Sequence, residues 1–332
     1  MFACAFATTA AIANDTAKPA SLRFEYKDWV VVCDNTRTCR AVGYPAQEGM
    51  DSLAVLLISR AAGPQTAVTM QVQTSRSRPY AGATLLKSGG LVLATLQGDM
   101  KLSQVQATAM LAALPKANRI DVIQGTLKYA FSTVGVNAVL LKMDEFQGRL
   151  DTPGALVRRG SKPESSVLPA LPAPQLLQAL PQADKPQDNK LLKPISAAIE
   201  RKELVQICGP NAGEEFALQR LTANTVLMSL RCSVSAYNSA TLLWIANDSA
   251  PYAPRLLEAT GDFDAETGLV EEASKVRGLG DCWAREAWQF NGKDFTLASQ
   301  SADGLCRGVA GDTWQLPSYV TDMVSPKGKV KK

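Results

Sequence analysis

Residues 29–40 read Trp29-Val-Val-Val-Cys33-Asp-Asn-Thr-Arg-Thr-Cys39-Arg40, and the rest of the chain can be interpreted outward from this stretch. A run rich in β-branched residues ends at Cys33, a polar turn follows, and Cys39 begins another extended segment. The pattern predicts a β-hairpin whose ends are joined by a disulfide bond. Because disulfide bonds persist in oxidising compartments, it also indicates a secreted or periplasmic protein.

The length and composition are those of a globular protein. With 332 residues the chain is long enough for two domains, each with a core of its own. Hydrophobic residues make up 46% and charged residues 20%, and no apolar run reaches the roughly 18 residues of a membrane-spanning helix. We therefore expect no membrane span.

The first residues have the composition of a secretion signal. Residues 1–13 are mostly small and apolar, and Ala11-Ile12-Ala13 fits a signal-peptidase site. We expect residues 1–19 to form a signal peptide and leader, whose removal would take Cys4 with it. The basic region that normally opens a signal peptide is absent, so the position of the natural start stays open.

The cysteines that follow the leader are Cys33, Cys39, Cys208, Cys232, Cys282 and Cys306. An even number suits a set of disulfide bonds. We predict the local pairs, Cys33 with Cys39, Cys208 with Cys232 and Cys282 with Cys306, because each pair flanks neighbouring β elements. No Cys-x-x-Cys pair is present, so we expect neither a metal site nor a redox cofactor.

The chain contains no histidine. Its absence excludes Ser-His-Asp and Cys-His catalysis, histidine-ligated metals and imidazole acid-base chemistry. An enzyme built from this sequence would have to use carboxylate, lysine, tyrosine or serine-lysine chemistry.

The predicted elements divide the chain into parts. Residues 20–160 predict an α+β domain, a mostly antiparallel sheet with two helices, the first capped by Ser103 and the second spanning about residues 134–147. Residues 161–194 are rich in proline and predict an extended linker. Residues 195–324 predict a β-rich, disulfide-stapled domain, and residues 325–332 a basic tail.

One hairpin of the second domain has a predicted register. Its turn contains Asn291-Gly292-Lys293-Asp294. A four-residue loop sets Phe290 opposite Phe295, whereas a two-residue Asn-Gly loop would set Phe290 against a lysine. We therefore expect the four-residue loop.

The two predicted domains carry opposite charge. Residues 1–160 contain 17 basic and 11 acidic residues, whereas residues 195–324 contain 10 basic and 17 acidic residues. Opposite charge would let the domains dock or give each a different partner.

Several motifs together resemble a known family. They are the Trp-x3-Cys-x5-Cys opening, the stretches at 140–149 and 155–160, and Gly280-Asp281-Cys282 followed by Cys306-Arg307-Gly308. The chain is similar over about residues 20–320 to the proteobacterial periplasmic family called domain of unknown function 1176. Its first half is more loosely similar to the invasion-associated locus B family. The resemblance implies an exported, disulfide-bearing protein and no activity, and Trp283 departs from the smaller residue expected there.

Four groups of residues are candidate sites. The adjacent Asp144 and Glu145 predict a solvated helix face rather than an acid-base pair, and the resemblance gives no role to Asp144 or Arg149. The acidic run Asp262, Asp264 and Glu266 predicts a polar turn rather than a calcium loop. The tryptophans Trp244, Trp283, Trp288 and Trp314 predict core packing rather than a sugar-stacking platform. The lysines of the tail predict a solvated terminus.

These observations favour a non-enzymatic envelope protein that binds another protein or a cell-wall component. An inhibitor of an envelope-directed hydrolase and a carboxylate-based hydrolase are the alternatives. A concave groove with converging carboxylates would favour the hydrolase, and a protruding loop would favour the inhibitor. We expect no nucleic-acid partner, and the oligomeric state stays open.

Overall fold

The computed structural model describes residues 21–46, 53–75, 80–209, 215–233, 237–309, 311 and 313–325. The expected signal peptide and leader lie outside these ranges, and so does the basic tail beyond Ser325. In the described ranges no helix is both long enough and apolar enough to cross a membrane.

The first half of the chain is built from two antiparallel sheets. Strands β1 to β5 pair in chain order, and a second sheet has the order β7-β6-β8-β9. The strands are β1 (Leu22–Tyr26), β2 (Trp29–Cys33), β3 (Cys39–Gly43), β4 (Ala54–Arg60), β5 (Val68–Thr74), β6 (Thr84–Ser88), β7 (Leu91–Leu96), β8 (Arg119–Gln124) and β9 (Leu127–Ser132).

The opening hairpin lies at the centre of this half. Cys33 is opposite Cys39 in the β2–β3 register, and a disulfide bond joins them. Trp29 is fully buried, and its indole N–H donates to the Ser132 carbonyl over 2.9 Å. A side chain at Gly43 would collide with the Trp29 ring, so glycine is required beside it. The predicted hairpin therefore lies in the core of the first half.

Two helices pack on these sheets. Helix α1 (Gln104–Ala113) begins after Ser103, whose side chain accepts the Gln106 N–H in a capping box. Helix α2 (Val136–Phe146) buries the apolar residues at helical spacing against the sheet of β1 to β5. Both helices and the Ser103 cap agree with the prediction from the sequence.

The proline-rich segment is ordered by contacts with both halves. It contains strand β10 (Gln175–Leu177), which pairs in parallel with β20 (Asp322–Val324), and Asp188, which is buried against Arg220. The extended segment is therefore not a free spacer, because its backbone pairs at β10. The division of the chain into domains at 161 and 194 stays a prediction.

The second half is a β-sandwich with two helices beside it. Helices α3 (Leu192–Ser196) and α4 (Arg201–Cys208) precede it. The first sheet consists of β11 (Phe216–Arg220), β12 (Thr225–Ser233), β13 (Ser239–Asn247) and β14 (Arg255–Thr260). The second consists of β15 (Asp262–Asp264), β16 (Leu269–Lys275), β17 (Trp283–Phe290), β18 (Phe295–Ala302) and β19 (Leu316–Tyr319), and β20 spans Asp322–Val324.

The two sheets bury a shared core. Leu243 and Ile245 of the first sheet contact Val270 and Phe290 of the second. Phe290 lies opposite Phe295, as the four-residue loop predicted. The predominance of antiparallel sheets with few helices makes the chain an α+β fold.

Disulfide bonds fasten the second half at two places. Among the described residues Cys208 is joined to Cys232 and Cys282 to Cys306, in addition to Cys33 with Cys39. These are the expected pairs, although Cys208 is the last residue of α4 and so does not flank a β element as expected. Three disulfide bonds are typical of a protein outside the reducing cytoplasm.

The end of the chain returns to the first half. Val309 and Leu316 pack against Val30 and Val32 on the outer face of the β1–β5 sheet. The Val320 N–H donates to the Asn35 side chain over 2.7 Å, and the Asn35 amide donates back to the Val320 carbonyl over 2.9 Å. The sandwich is thereby tied to the opening hairpin.

Candidate functional site

A groove of about 660 Å³ crosses one face of the sheet formed by β15 to β19. This volume lies within the roughly 300–1,000 Å³ that small-ligand sites occupy. Residues that oppose one another across the strands form its floor: Asp262, Glu271, Ala287 and Ser299 in one row, and Ala273, Arg285 and Ser301 in the next.

The pleat of the strands explains why this face is open. Val270 and Phe290 point to the opposite face, where they pack against the first sheet of the sandwich. Ala273 and Ser299 point outward and are exposed. Because alanine and serine are short, the outer face has a floor without bulky side chains, and the groove follows from that sequence pattern.

The groove has a wall made by the other sheet. The chain passes from β14 to β15 through Gly261, whose N–H donates to the Thr241 carbonyl over 3.0 Å. The Thr241 hydroxyl then donates to Asp262 over 3.2 Å. Arg231 lies opposite Thr241 on β12, so the ends of β12 and β13 stand beside the groove.

The charge of the groove is mostly negative and is not neutralised by ion pairs. Its lining contains Arg231, Arg285 and the acids Asp262, Asp264, Glu271, Glu272 and Glu286. Within the described ranges none of these five acids forms an ion pair with lysine or arginine. Unpaired carboxylates at a concave surface leave a field that attracts positive groups.

Glu272 and Glu286 are neighbours on the sheet but point away from the groove floor, because they alternate along β16 and β17 with the floor residues Ala273 and Arg285. They lie directly opposite each other on β16 and β17. The hydroxyl groups of Thr260 and Ser274 donate to Glu272, and the Gln300 amide donates to Glu286 over 2.6 Å. Like charges placed directly opposite across a sheet repel each other, so this placement lowers stability.

The acidic run predicted as a polar turn supplies part of the groove. Asp262 and Asp264 lie on strand β15, and Glu266 lies in the turn that follows. The Thr267 hydroxyl and the Glu266 N–H donate to Asp264, and these hydrogen bonds lower its pKa below the ordinary range. Across the described residues no three acids or cysteines are grouped so as to hold a metal ion.

Asp144 lies in a different environment from the one predicted. It is fully buried, whereas its neighbour Glu145 is exposed. The backbone N–H groups of Leu156 and Val157 donate to the Asp144 carboxylate over 2.7 and 3.1 Å. The prediction of a solvated helix face is therefore wrong for Asp144, because the segment after α2 folds back over it. Burial raises its pKa, against the effect of those donors and of nearby arginines.

Two arginines surround Asp144. Arg60 lies 3.9 Å from its carboxylate and donates to the Gly154 carbonyl. Arg149 is fully buried and donates to Gln147 and to the Gly63 carbonyl over 2.8 and 2.6 Å. Burial lowers the pKa of Arg149 to about 10. These side chains satisfy backbone groups of the loops, so Asp144 and Arg149 hold the fold and form no open site.

The tryptophans offer little surface to a ligand. Trp244 is buried, Trp288 packs on the sandwich core and Trp314 packs beside Tyr44 in the contact with the first half. The Trp283 ring lies 5.4 Å from the Lys275 Nζ, and a side chain at Gly311 would collide with it. Trp244, Trp288 and Trp314 therefore pack in cores or in the contact between the halves, in line with the prediction.

The groove itself could not be found in the sequence. The acids of β15 form a run that is visible in the sequence. The alanines and serines of β16, β17 and β18, however, match no sequence motif. Only the register of these strands brings those positions into rows.

Comparison with known proteins gives a family and one relative. The sequence profile of the family described as "Protein of unknown function (DUF1176)" matches residues 23–321. The chain is 27% identical over 340 residues to "Uncharacterized protein YpfG" of Escherichia coli (strain K12). The alignment covers 90% of this chain and 92% of the relative. No solved structure matches the chain significantly.

Proposed function

Because this chain belongs to the family of unknown function DUF1176, its role must be inferred from its own residues, and we propose that it is an exported, non-enzymatic binding protein of the cell envelope. The periplasm is the compartment we propose, since disulfide bonds form there. Its partner would be another protein or a cell-wall component, with no nucleic acid involved. The looser similarity to the invasion-associated locus B family stays a prediction.

The groove on the β15–β19 sheet carries this proposal. Its small floor residues leave room for a ligand, and the acids on the same face, Asp262, Asp264 and Glu271, provide hydrogen-bond acceptors and negative charge without ion pairs among the described residues. A rigid surface of this kind favours association, because little conformational entropy is lost when a ligand binds. Positively charged groups on the ligand would be attracted before contact.

Filling the groove tests the proposal. Replacing Ser299, an exposed floor residue, with tryptophan would place a large side chain where the ligand lies. Thr296→Trp is the matched control, since Thr296 is an exposed residue of the same strand that does not line the groove. The probes are purified peptidoglycan glycan strands, muropeptides and a displayed library of eight-residue peptides.

We expect Ser299→Trp to abolish binding of whichever probe the mature protein retains, and Thr296→Trp to leave it unchanged. Retention of no probe by the unmodified protein would count against the proposal, and so would equal binding by both variants.

A carboxylate-based hydrolase is the second candidate, and it would have to use Glu272 and Glu286, which are directly opposed on β16 and β17 but point away from the groove floor. The same probes incubated with the protein would then release soluble fragments. Loss of that release in both Glu272→Gln and Glu286→Gln, with binding retained, would establish the hydrolase and overturn the non-enzymatic reading. The inhibitor alternative stays a prediction and depends on a protruding loop.

A further inference from the structure

An exposed aromatic ring stands beside one end of the groove. Tyr237 is 47% exposed and lies two residues before Ser239, which lines the groove. Its ring packs beside Gly278, where an added methyl group would lie 3.6 Å from a ring carbon. A tyrosine ring offers a large, flat apolar area together with a polar tip. A sugar ring stacks on a surface of this kind through its C–H groups, while its hydroxyl groups stay within reach of polar partners.

The residue after Tyr237 fixes its position relative to the groove. The Asn238 side chain donates to the Lys275 carbonyl and accepts the Lys275 N–H, each over 2.9 Å. Along β16 the outward-facing residues continue from Lys275 to Ala273 and then to Glu271, which line the groove. Outward-facing residues of a strand are two apart, about 7 Å, so Glu271 lies about 14 Å from Lys275. The Tyr237 ring and the groove acids therefore stand at opposite ends of a surface that can hold several sugar rings.

The lining between these two ends suits the hydroxyl groups of a sugar. Ser299 and Ser301 lie on the groove floor, and a serine hydroxyl group both donates and accepts hydrogen bonds. Asp262 and Glu271 are acceptors, and Arg231 is a donor. Because every sugar hydroxyl group can donate and accept as well, this mixture of groups can pair with several of them along a glycan strand.

Charge decides which glycan fits best. Asp262 and Glu271 oppose each other on β15 and β16, and both are exposed. Within the described residues neither forms an ion pair. Two carboxylates placed opposite each other repel, and an ammonium group between them would relieve that repulsion. The same field would repel an acidic glycan, so it favours a glycan with free amino groups.

Resting on the proposed function, we propose that the groove binds a glycan strand that carries free amino groups, with one sugar ring stacked on Tyr237 and an ammonium group between Asp262 and Glu271. The rings between these two contacts lie over the small residues of the floor, where the serine hydroxyl groups pair with them. The ligand class is thus a hexosamine strand from which acetyl groups have been removed.

Two tetramers with the same sugar backbone test this proposal. The glucosamine tetramer carries free amino groups, and in the N-acetylglucosamine tetramer these groups are acetylated. Titration calorimetry at mildly acidic pH, where the free amino groups are charged, measures the affinity of the mature protein for each, and we expect tighter binding of the glucosamine tetramer. Asp262→Asn should remove this preference and leave the affinity for the acetylated tetramer unchanged, because asparagine keeps an acceptor for the Thr241 hydroxyl group.

Tyr237→Ala tests the stacking contact. It should weaken the binding of both tetramers about tenfold, the effect of losing one aromatic contact. Tyr26→Ala is the matched control, since Tyr26 is 48% exposed but lies in the first half, and it should change neither affinity. Equal affinities of these two variants would overturn the role of Tyr237.

The remaining outcomes separate this proposal from the proposed function. Equal binding of the two tetramers by the unmodified protein would overturn the ammonium site between Asp262 and Glu271. Retention of library peptides that Ser299→Trp abolishes, with neither tetramer bound, would overturn the glycan ligand but support the groove. Retention of no probe would contradict the proposed function itself.

Discussion

The acidic side chains of the two halves have opposite environments. Asp144 in the first half is fully buried, accepts two backbone N–H groups and lies 3.9 Å from Arg60. The groove in the second half has acids at a concave surface without a basic partner among the described residues. Buried and paired carboxylates stabilise the loops around them, whereas exposed and unpaired carboxylates are available to a ligand. Burial and pairing, rather than the residue type, separate structure from function here.

The largest effect that this comparison predicts is on the stability of the first half. Asp144→Ala removes the acceptor of the Leu156 and Val157 N–H groups and leaves Arg60 buried without its acidic neighbour. Breaking a buried pair by removing one partner costs about 3–5 kcal/mol. Urea unfolding should show a loss of this size in the free energy of unfolding.

Glu145→Ala is the matched control for Asp144→Ala, because Glu145 is the next residue on the same helix and is exposed. A surface substitution of this kind changes stability by about 0.5 kcal/mol at most. Equally small losses for the two variants would mean that Asp144 lies at the surface. The contrast between buried and exposed acids would then be wrong.

The next effect concerns the disulfide bonds, which sharpen the comparison between the halves. Replacing Cys282 and Cys306 together by alanine opens a link with a sequence separation of 24, against 6 for Cys33 and Cys39. Loop entropy predicts losses of about 3.5 and 2.4 kcal/mol respectively, since a longer enclosed loop restrains the unfolded chain more. Urea unfolding of the two double variants should rank their losses of stability in this order. The reverse ranking would show that the length of the enclosed loop does not determine the size of the loss.

A smaller, pH-dependent effect belongs to a second buried acid. The Arg220 guanidinium donates to Asp188 and holds the pKa of that carboxyl below its ordinary range. Because the folded pKa is depressed, this pair stabilises the protein above the ordinary pKa, and the contribution is lost as the pH falls through the folded value. Asp188→Asn should therefore cost about 2 kcal/mol at pH 7.

The cost of Asp188→Asn should shrink as the pH falls from the ordinary pKa of an aspartate through the lower pKa of Asp188 in the folded protein. Urea unfolding of both proteins over a pH series measures the difference between them. A difference that stays constant from neutral to acid pH would contradict the ion pair.

The sequence predicted the local features of the fold well. The opening hairpin, the Ser103 cap and the Phe290–Phe295 register depend on residues that are close in the chain, and the structure has all three. Each follows from turn chemistry or from hydrophobic spacing, which short stretches of sequence contain.

Features that depend on distant residues were missed. The spacing of α2 cannot show that residues 156 and 157 fold back over Asp144. The proline-rich segment gains its strand only because β20, almost 150 residues later, lies beside it. The groove likewise needs the register of β15 to β18, which no single strand determines.

The smallest expected effect on stability is at the groove, and it tests the other side of the comparison. Glu271 is exposed and forms no ion pair among the described residues, so Glu271→Gln should change the free energy of unfolding by about 0.5 kcal/mol at most. The same substitution removes a negative charge from the groove, so it should weaken the binding of the glucosamine tetramer. That weakening should fade as salt rises, because exposed charges are screened. Anisotropy titrations of the labelled tetramer at low and high salt measure both. A loss of stability comparable to that of Asp144→Ala, without any loss of tetramer affinity, would mean that Glu271 stabilises the fold as Asp144 does. The distinction between the buried acid and the acids of the groove would then be wrong.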